Sequence, residues 1–454
     1  MLKKINFGDE FYQKLKLLVL PITVQQFMLA LVSATDAIML GAVSQTSLSA
    51  VSLAGQIQFV LNLFISGISA GSGIMAAQYW GKQDAASIEE VIPIALRTNL
   101  IFSGMFTILA AVAPEMLMRI FTSDAALVES GAMYLQAVSL SYLLCGISQI
   151  YLILLKNTGH AAVSSKISST AVVLNIICNA VFIYGLCGIP ALGIRGAAYA
   201  TVLARLVELI WSCIETKRPG RVQIVWKKMF IPADRLLTKD FWRYTTPVLG
   251  AALVWGIAYV SYSVIMGHMG SDAVAANSIT TIAKNMLSCL IRGVSGGAGV
   301  LIGNLLGAGE LSKAKKYGGR LTHMAIVVGV VTGGLLMLIS PFIVWFAPLT
   351  ETAAHYLQYM LLFCGCNIMA QSVNTTVLDG IFCAGGDSKF DMKGNLGAMW
   401  CFSVPVGFLA AFALKLPVMV VYCIVNLDEI VKIPAVYLHY KKYIWVRNIT
   451  REED

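Results

Sequence analysis

The chain has 454 residues, 57% of them hydrophobic and 13% charged, and its mean hydropathy of +0.75 excludes an ordinary soluble domain. An all-α integral membrane protein is the expected class. The formal net charge of +9 calls for no nucleic-acid partner, because the basic residues gather at the ends of apolar runs, where membrane topology accounts for them.

A spanning helix needs about 20 mostly apolar residues, and twelve such runs follow one another, near 14–40, 50–77, 91–113, 130–156, 163–186, 192–215, 243–268, 276–302, 321–345, 354–382, 391–414 and 416–440. Ahead of the first stand Lys3, Lys4, Asp9 and Glu10, with no short apolar core and cleavage site, so no secretory signal is expected. The stretch Pro21 to Asp84, laid on the stretch from Pro247 at a constant offset of 226, puts Gly41, Gly67, Gly71, Gly73 and Gly81 on Gly267, Gly293, Gly297, Gly299 and Gly307. That is an internal repeat. With a one-residue slip it continues, Pro114 falling on Pro341 and Gly159 on Gly386. The expected fold is therefore twelve transmembrane helices in two six-helix repeats. The N-lobe occupies 1–216 and the C-lobe 241–440. A linker over 217–240, with Pro219, Gly220 and Pro232 among its basic residues, joins them, and a tail over 441–454 follows. An even number of helices per repeat puts both copies the same way up, related by a pseudo-twofold along the membrane normal, with a central cavity expected between the lobes.

Orientation follows from the loops. Lys82, Lys156, Lys166, Lys313, Lys315, Lys316, Arg320, Lys389 and Lys393 follow even-numbered runs, and the linker and tail are basic too, whereas the opposite loops hold only Arg119, Arg195 and Lys415. Both termini and the linker are expected in the cytoplasm, with the protein in the cell membrane. The ten cysteines are scattered through apolar runs without metal-site spacing, and there is no HExxH, no phosphate-cradling GxxxxGK[ST] and no nucleophile elbow. No enzyme, cofactor or ATP-driven pump is indicated, so transport would run on an ion gradient or downhill.

Charged residues inside spans carry the remaining signal, since each costs about 2.5 to 3.5 kcal/mol at a helix centre. Asp36 lies in the first run, roughly 28 Å above its cytoplasmic end at 1.5 Å per residue, and the second repeat has Tyr262 in its place. Asn175 and Asn179, four apart on one face of the fifth run, and Thr201 in the sixth reach a similar depth. Helix-to-helix hydrogen bonding is the ordinary use of such neutral residues. Asp36 has no basic residue at its level in its own half, Arg97 and Arg205 being nearer the cytoplasmic ends, so it must take a proton or a cation. Below it in the same run, Pro21 removes one helical hydrogen bond and is a candidate hinge. In the second half stand Lys284 and Arg292 in the eighth run, Asp379 in the tenth, and Asp428, Glu429 and Lys432 in the twelfth. Spacing allows Lys432 to pair with both acids, which leaves one negative charge. This group is either a structural cluster or a substrate-reading part of the cavity.

The segments Thr35-Asp36-Ala-Ile-Met-Leu-Gly41, Gly81-Lys-Gln-Asp84, Gly307-Ala-Gly-Glu310 and Leu192-Gly-Ile-Arg-Gly-Ala-Ala-Tyr-Ala-Thr201 together resemble the multidrug and toxic compound extrusion (MATE) family of secondary transporters over nearly the whole chain. The resemblance implies antiport, with organic cationic or amphipathic compounds leaving in exchange for H+ or Na+. It matches Asp36, Asn175, Asn179 and Thr201 to the family's N-lobe cation site, with Na+ a candidate ligand. One branch carries a Glu in helix seven and an Asp in helix ten; here Trp255 and Val373 or Asn374 fall at those places, which argues against a C-lobe sodium site of that kind. A monomer is expected, with drug-like molecules and the bilayer as partners. A lipid or lipid-linked oligosaccharide flippase of the same superfamily is the alternative, drawing on Lys284, Arg292 and Arg97.

Overall fold

The computed structural model describes residues 9–451 except 187, 225, 230, 232, 233 and 348; Lys3, Lys4, Cys187 and Pro232 lie outside them. Every regular element among the described residues is helical, as hydrocarbon demands of a chain that must satisfy its own backbone hydrogen bonds. In chain order these are α1 (Glu10–Val43), α2 (Gln45–Gly81), α3 (Ala85–Val112), the short α4 (Pro114–Arg119), α5 (Ala125–Asn157), α6 (Ala161–Tyr184), α7 (Gly193–Thr216), α8 (Arg235–Gly267), α9 (Ser271–Gly307), α10 (Leu311–Phe346), α11 (Glu351–Thr375), α12 (Ser388–Asn395), α13 (Val404–Phe408), α14 (Val418–Val425) and α15 (Asp428–Tyr440). A single 3-10 turn, Trp226–Met229, lies in the linker.

Eleven helical stretches among the described residues are long and apolar enough to cross a membrane. The expected twelfth run, 416–440, is broken into α14 and α15 at Asn426 and Leu427, because a row of polar side chains binds the backbone there. The tenth run ends in a π-helical stretch, Thr376–Phe382, and the eleventh contains two more, Leu396–Ser403 and Leu409–Ala413. The repeat is visible in the turns. Gln83 (φ 65°) after α2 and Gly309 (φ 77°) after α9 are both left-handed, as are Gly159 (φ 82°) and Gly386 (φ 70°). Asp84 offsets the strain of a non-glycine residue at position 83 by capping α3, accepting from the Ser87 amide at 2.9 Å.

Packing divides the chain into two compact units, and their boundary is not the linker. One unit is 27–249; the other joins the stretch ending at Gln26 to the stretch beginning at Gly250. The lobe limits expected at 1–216 and 241–440 therefore place the first part of α1 and the first part of α8 differently from their packing. Glycines explain why. In the 27–249 unit, a Cβ added to Gly67 would sit 2.8 Å from the Leu249 Cα, and one on Gly71 2.7 Å from the Thr245 Cα. In the other unit, a Cβ on Gly293 would sit 3.1 Å from the Thr23 Cα and one on Gly297 2.8 Å from Val19. Thr23 and Val19 are 226 positions before Leu249 and Thr245, so both repeats use the same small-residue face of their second helix to seat the lower part of the other repeat's first helix.

Each unit has its own apolar core. In the 27–249 unit Leu40, Leu61, Met118, Leu135, Val138 and Tyr142 pack together; in the other, Phe11 and Leu15 of α1 join Ile302, Leu321, Phe382 and Trp445. The start of α1 is fastened there. Asp9 accepts from the Phe11 amide at 3.2 Å and from Arg320 at 2.6 Å, and these two donors hold its carboxyl below the usual range. The segment expected as a tail is packed as far as it is described: Trp445 is fully buried, and Arg447 donates to the Gly385 carbonyl at 2.8 Å and to that of Gly386 at 2.6 Å.

The close approach at Gly71 makes a direct prediction. Gly71→Val forces side-chain atoms into the α8 backbone, and overpacking of this kind costs about 1 to 3 kcal/mol. The purified variant should melt several degrees below wild type, whereas Gly55→Ala, where an added Cβ meets nothing within 4 Å, should not.

Candidate functional site

In the 27–249 unit the polar residues of three helices meet in one chain of hydrogen bonds. Asn175 and Asn179 stand one turn apart on α6, facing Asp36 of α1 on one side and Thr201 of α7 on the other. Asn179 Nδ2 donates to Asp36 Oδ1 at 2.6 Å and to Asn175 Oδ1 at 3.2 Å. Asn175 Nδ2 donates to Thr201 Oγ1 at 3.3 Å, and that hydroxyl donates to the Ala197 carbonyl at 3.0 Å. Both asparagines are buried, Asn179 at 1% exposure, and Asn179 Oδ1 has no hydrogen-bond partner. The Tyr184 hydroxyl, donating to the Met39 carbonyl at 3.1 Å, ties the end of α6 to α1 just above. All four residues singled out in this half thus come together. Their carboxylate has a neutral donor and, among the described residues, no ion-pair partner.

A second charged group in this unit was not foreseen. Glu208, 1% exposed, accepts from Arg205 at 3.0 and 3.2 Å and from the Ser148 hydroxyl at 2.6 Å. Its compensation is complete. Arg205, read only as a basic residue near the cytoplasmic end, is spent on this pair, and the spacing of three between them was the available signal.

In the other unit the structure unites part of the expected cluster. Lys432 lies 3.2 Å from Asp428 Oδ2 and 3.3 Å from Glu429 Oε1, with side chains 4%, 7% and 15% exposed. Lys284, Arg292 and Asp379 form no ion pair with them among the described residues, although Lys284 lies within electrostatic reach of both acids and Asp379 within reach of Glu429 and Lys432. The Arg292 side chain is exposed. The partner that sequence reasoning missed is α11. Asn374 Nδ2 donates to the Glu429 carbonyl at 2.6 Å and to its Oε2 at 2.8 Å. Asn367, seven residues earlier on the same face, donates to the Asn426 carbonyl, and Asn426 Nδ2 turns back to the Tyr422 carbonyl at 2.9 Å. The Asn367 amide here takes the Asn426 carbonyl that the break between α14 and α15 leaves without its helical partner. That two-turn spacing of asparagines, 367 and 374, was the readable sign.

The candidate hinge is placed less sharply. α1 continues through Pro21 without a break, and the unit boundary falls just above it, after Gln26; on α8 the boundary follows Pro247 at Leu249.

A model of the MatE family matches residues 21–181 and 247–409, one match in each repeat. The uncharacterized transporter YisQ of Bacillus subtilis is 22% identical over 429 residues, covering 94% of this chain and 93% of its own. The probable multidrug resistance protein NorM of Mannheimia succiniciproducens is 24% identical over 429 residues, 90% of this chain and 88% of its own. A solved structure of a MOP superfamily transporter from Pyrococcus furiosus superimposes with a TM-score of 0.86 at 18% identity, over 95% of each chain; at that identity the likeness is one of fold.

The buried triad on α15 predicts an asymmetry between its members. Lys432→Met strands two carboxylates and should cost about 3 to 5 kcal/mol. Asn374→Ala, which removes donors to Glu429, should cost about 1.5 to 3 kcal/mol. Thermal unfolding of the two purified variants should rank them in that order.

Proposed function

Because the chain belongs to the MatE family of transporters, we propose that it is a secondary multidrug exporter, moving organic cationic or amphipathic compounds out of the cell in exchange for H+ or Na+. The observation that carries the coupling is the half-buried Asp36 carboxylate, hydrogen-bonded to Asn179 at 2.6 Å and without a cationic side chain to pair with. Burying an uncompensated charge is unfavourable, so the anion draws water or a cation to itself, and neutralisation removes that need. Charge on Asp36 favours a hydrated, open arrangement and its loss a closed one, so binding of the ion biases a two-state equilibrium. Asn179, Asn175 and Thr201 supply neutral oxygens at the same level and position the carboxylate.

Export is what the family membership suggests, and the basic loops favour an orientation with both termini cytoplasmic and the chain in the cell membrane. Pro21 is proposed as the place where α1 yields. Its missing hydrogen bond lies below the ion site and within two turns of the position where α1 passes from one packed unit to the other. Lys284 and Arg292, together with the acids of the second half, are proposed to line the substrate path.

Efflux from proteoliposomes under an imposed H+ or Na+ gradient tests this. Asp36→Asn keeps the shape but fixes a neutral side chain, and should lower gradient-driven efflux about tenfold or more, with reconstitution unchanged. Asn179→Ala, removing the direct donor, should cost more than Asn175→Ala, one bond further along the chain, and Pro21→Ala should slow turnover while leaving ion binding intact. An Asp36→Asn protein that exports at the wild-type rate would refute the coupling assignment.

A further inference from the structure

From the Asp36 group onward, one face of α7 stays polar to the end of the helix. Thr201, Arg205, Glu208, Ser212 and Glu215 follow one another at steps of four, three, four and three, which keeps them on one stripe. Glu208, Ser212 and Glu215 are 1%, 0% and 3% exposed. Thr201 belongs to the ion site through Asn175, and Glu215, in the last turn, is held by Arg218 at 3.0 Å and Arg221 at 2.7 Å. A continuous polar seam between an ion site and the far end of a span is a route that water and ions can follow.

Arg205 interrupts that seam. It stands four residues past Thr201, about 6 Å along the helix axis. Glu208, three residues further, accepts from its guanidinium at 3.0 and 3.2 Å and from Ser148 of α5 at 2.6 Å. A cation leaving the Asp36 group along the stripe therefore meets a positive charge before a negative one. The guanidinium keeps its proton in proteins, and as far as Arg221 the seam holds three guanidinium groups against two carboxylates. Stability alone does not call for the buried pair, since apolar residues of similar volume serve a helix contact as well or better. The duplication singles out the cation. At an offset of 227, which lays Pro190 on Pro417, Arg205 falls on Lys432, whereas Glu208 falls on Ala435. The acids that pair with Lys432, Asp428 and Glu429, precede it in the helix. A buried basic residue at this place is common to both repeats, and the position of its counter-charge is not.

We infer that Arg205, fixed by Glu208 and Ser148, is an electrostatic barrier that keeps the coupling cation from running through the 27–249 unit along α7. This rests on the proposed exchange at Asp36. An exporter that exchanges a cation for its substrate must not let the cation cross alone, and a fixed positive charge in a narrow polar path excludes protons and metal cations alike. Glu208 and Ser148 act through Arg205, by holding the guanidinium on the side of the seam that faces the ion site.

Substrate-free cation entry into proteoliposomes tests this, with an internal pH dye for H+ and radioactive tracer for Na+. Wild-type protein should be tight to both. Arg205→Gln should raise entry of the coupling cation about tenfold or more, and Arg205→Lys, which keeps the charge, should not. Glu208→Gln leaves the guanidinium uncompensated, so it should lower the melting temperature and yet stay tight, a split that a purely structural tie would not give. If Arg205→Gln aggregates because Glu208 is stranded, the double variant Arg205→Gln, Glu208→Gln removes both charges and should fold and leak. A folded Arg205→Gln or double variant that stays tight and still exports under a gradient overturns the barrier and leaves the export reading standing. Equal leaks through Arg205→Lys and Arg205→Gln overturn the barrier as well. A leaky Arg205→Gln in a protein whose Asp36→Asn form exports at the wild-type rate supports the barrier and overturns the coupling assignment.

Discussion

A carboxylate surrounded by hydrocarbon needs a donor, a cation or a proton, and the way each buried acid meets that need sorts the polar residues of this protein into different jobs. Glu208 is matched by Arg205 and Ser148, all within one packed unit, and nothing remains for it to bind. Asp36 receives one amide from Asn179 and keeps its charge uncompensated. The same residue type is therefore a structural tie in one place and the proposed seat of an exchangeable ion in another, and the deciding quantity is how completely its neighbours cancel it.

Glycine sets how the helix that carries Asp36 is packed. Gly67 and Gly71 admit the backbone of α8, and Gly293 and Gly297 admit that of α1, at approaches that any Cβ would prevent. The first helix of each repeat is thereby packed in one unit at its lower part and in the other above Gln26 or Leu249. α1 consequently carries Asp36 on the portion belonging to one unit, and Phe11, Leu15 and Val19 on the portion belonging to the other. Pro21 stands between, where one hydrogen bond is already missing. In the proposed coupling, a change of charge at Asp36 would act on a helix packed partly in each unit.

Duplication supplied two copies of one framework, and the copies differ in their polar residues. The turns, the glycine faces and the prolines are retained at offsets of 226 and 227. The carboxylate is not: Asp36 of α1 has Tyr262 of α8 at its place in the second copy. α14 and α15 separate at Asn426 and Leu427, where Asn367 of α11 donates to the Asn426 carbonyl and Asn374 to that of Glu429. Backbone at membrane depth can leave helical geometry only where protein groups take over its hydrogen bonds, and Asn367 does so at the Asn426 carbonyl.

Several features were legible from the sequence because they rest on local chemistry or on repetition. Apolar length fixes a multi-pass helical membrane protein, the offset of 226 fixes the duplication, and the rise per residue along each run places Asp36, Asn175, Asn179 and Thr201 at one level. Other features depend on which side chains meet across helices, and no spacing along one chain specifies that. The break at Asn426 lies inside a run apolar enough to read as continuous, and it exists because amides from α11 reach it. Lys284 and Arg292 share a stripe with each other, yet only Lys284 comes within electrostatic reach of Asp428, which packing alone decides. The unit boundary moved from the linker, where composition changes, to Gln26 and Leu249, where the glycine faces let one repeat's helix dock on the other's. Sequence determines what each helix can bury; tertiary structure decides against which neighbour it is buried, because close approach and charge compensation are properties of pairs of surfaces.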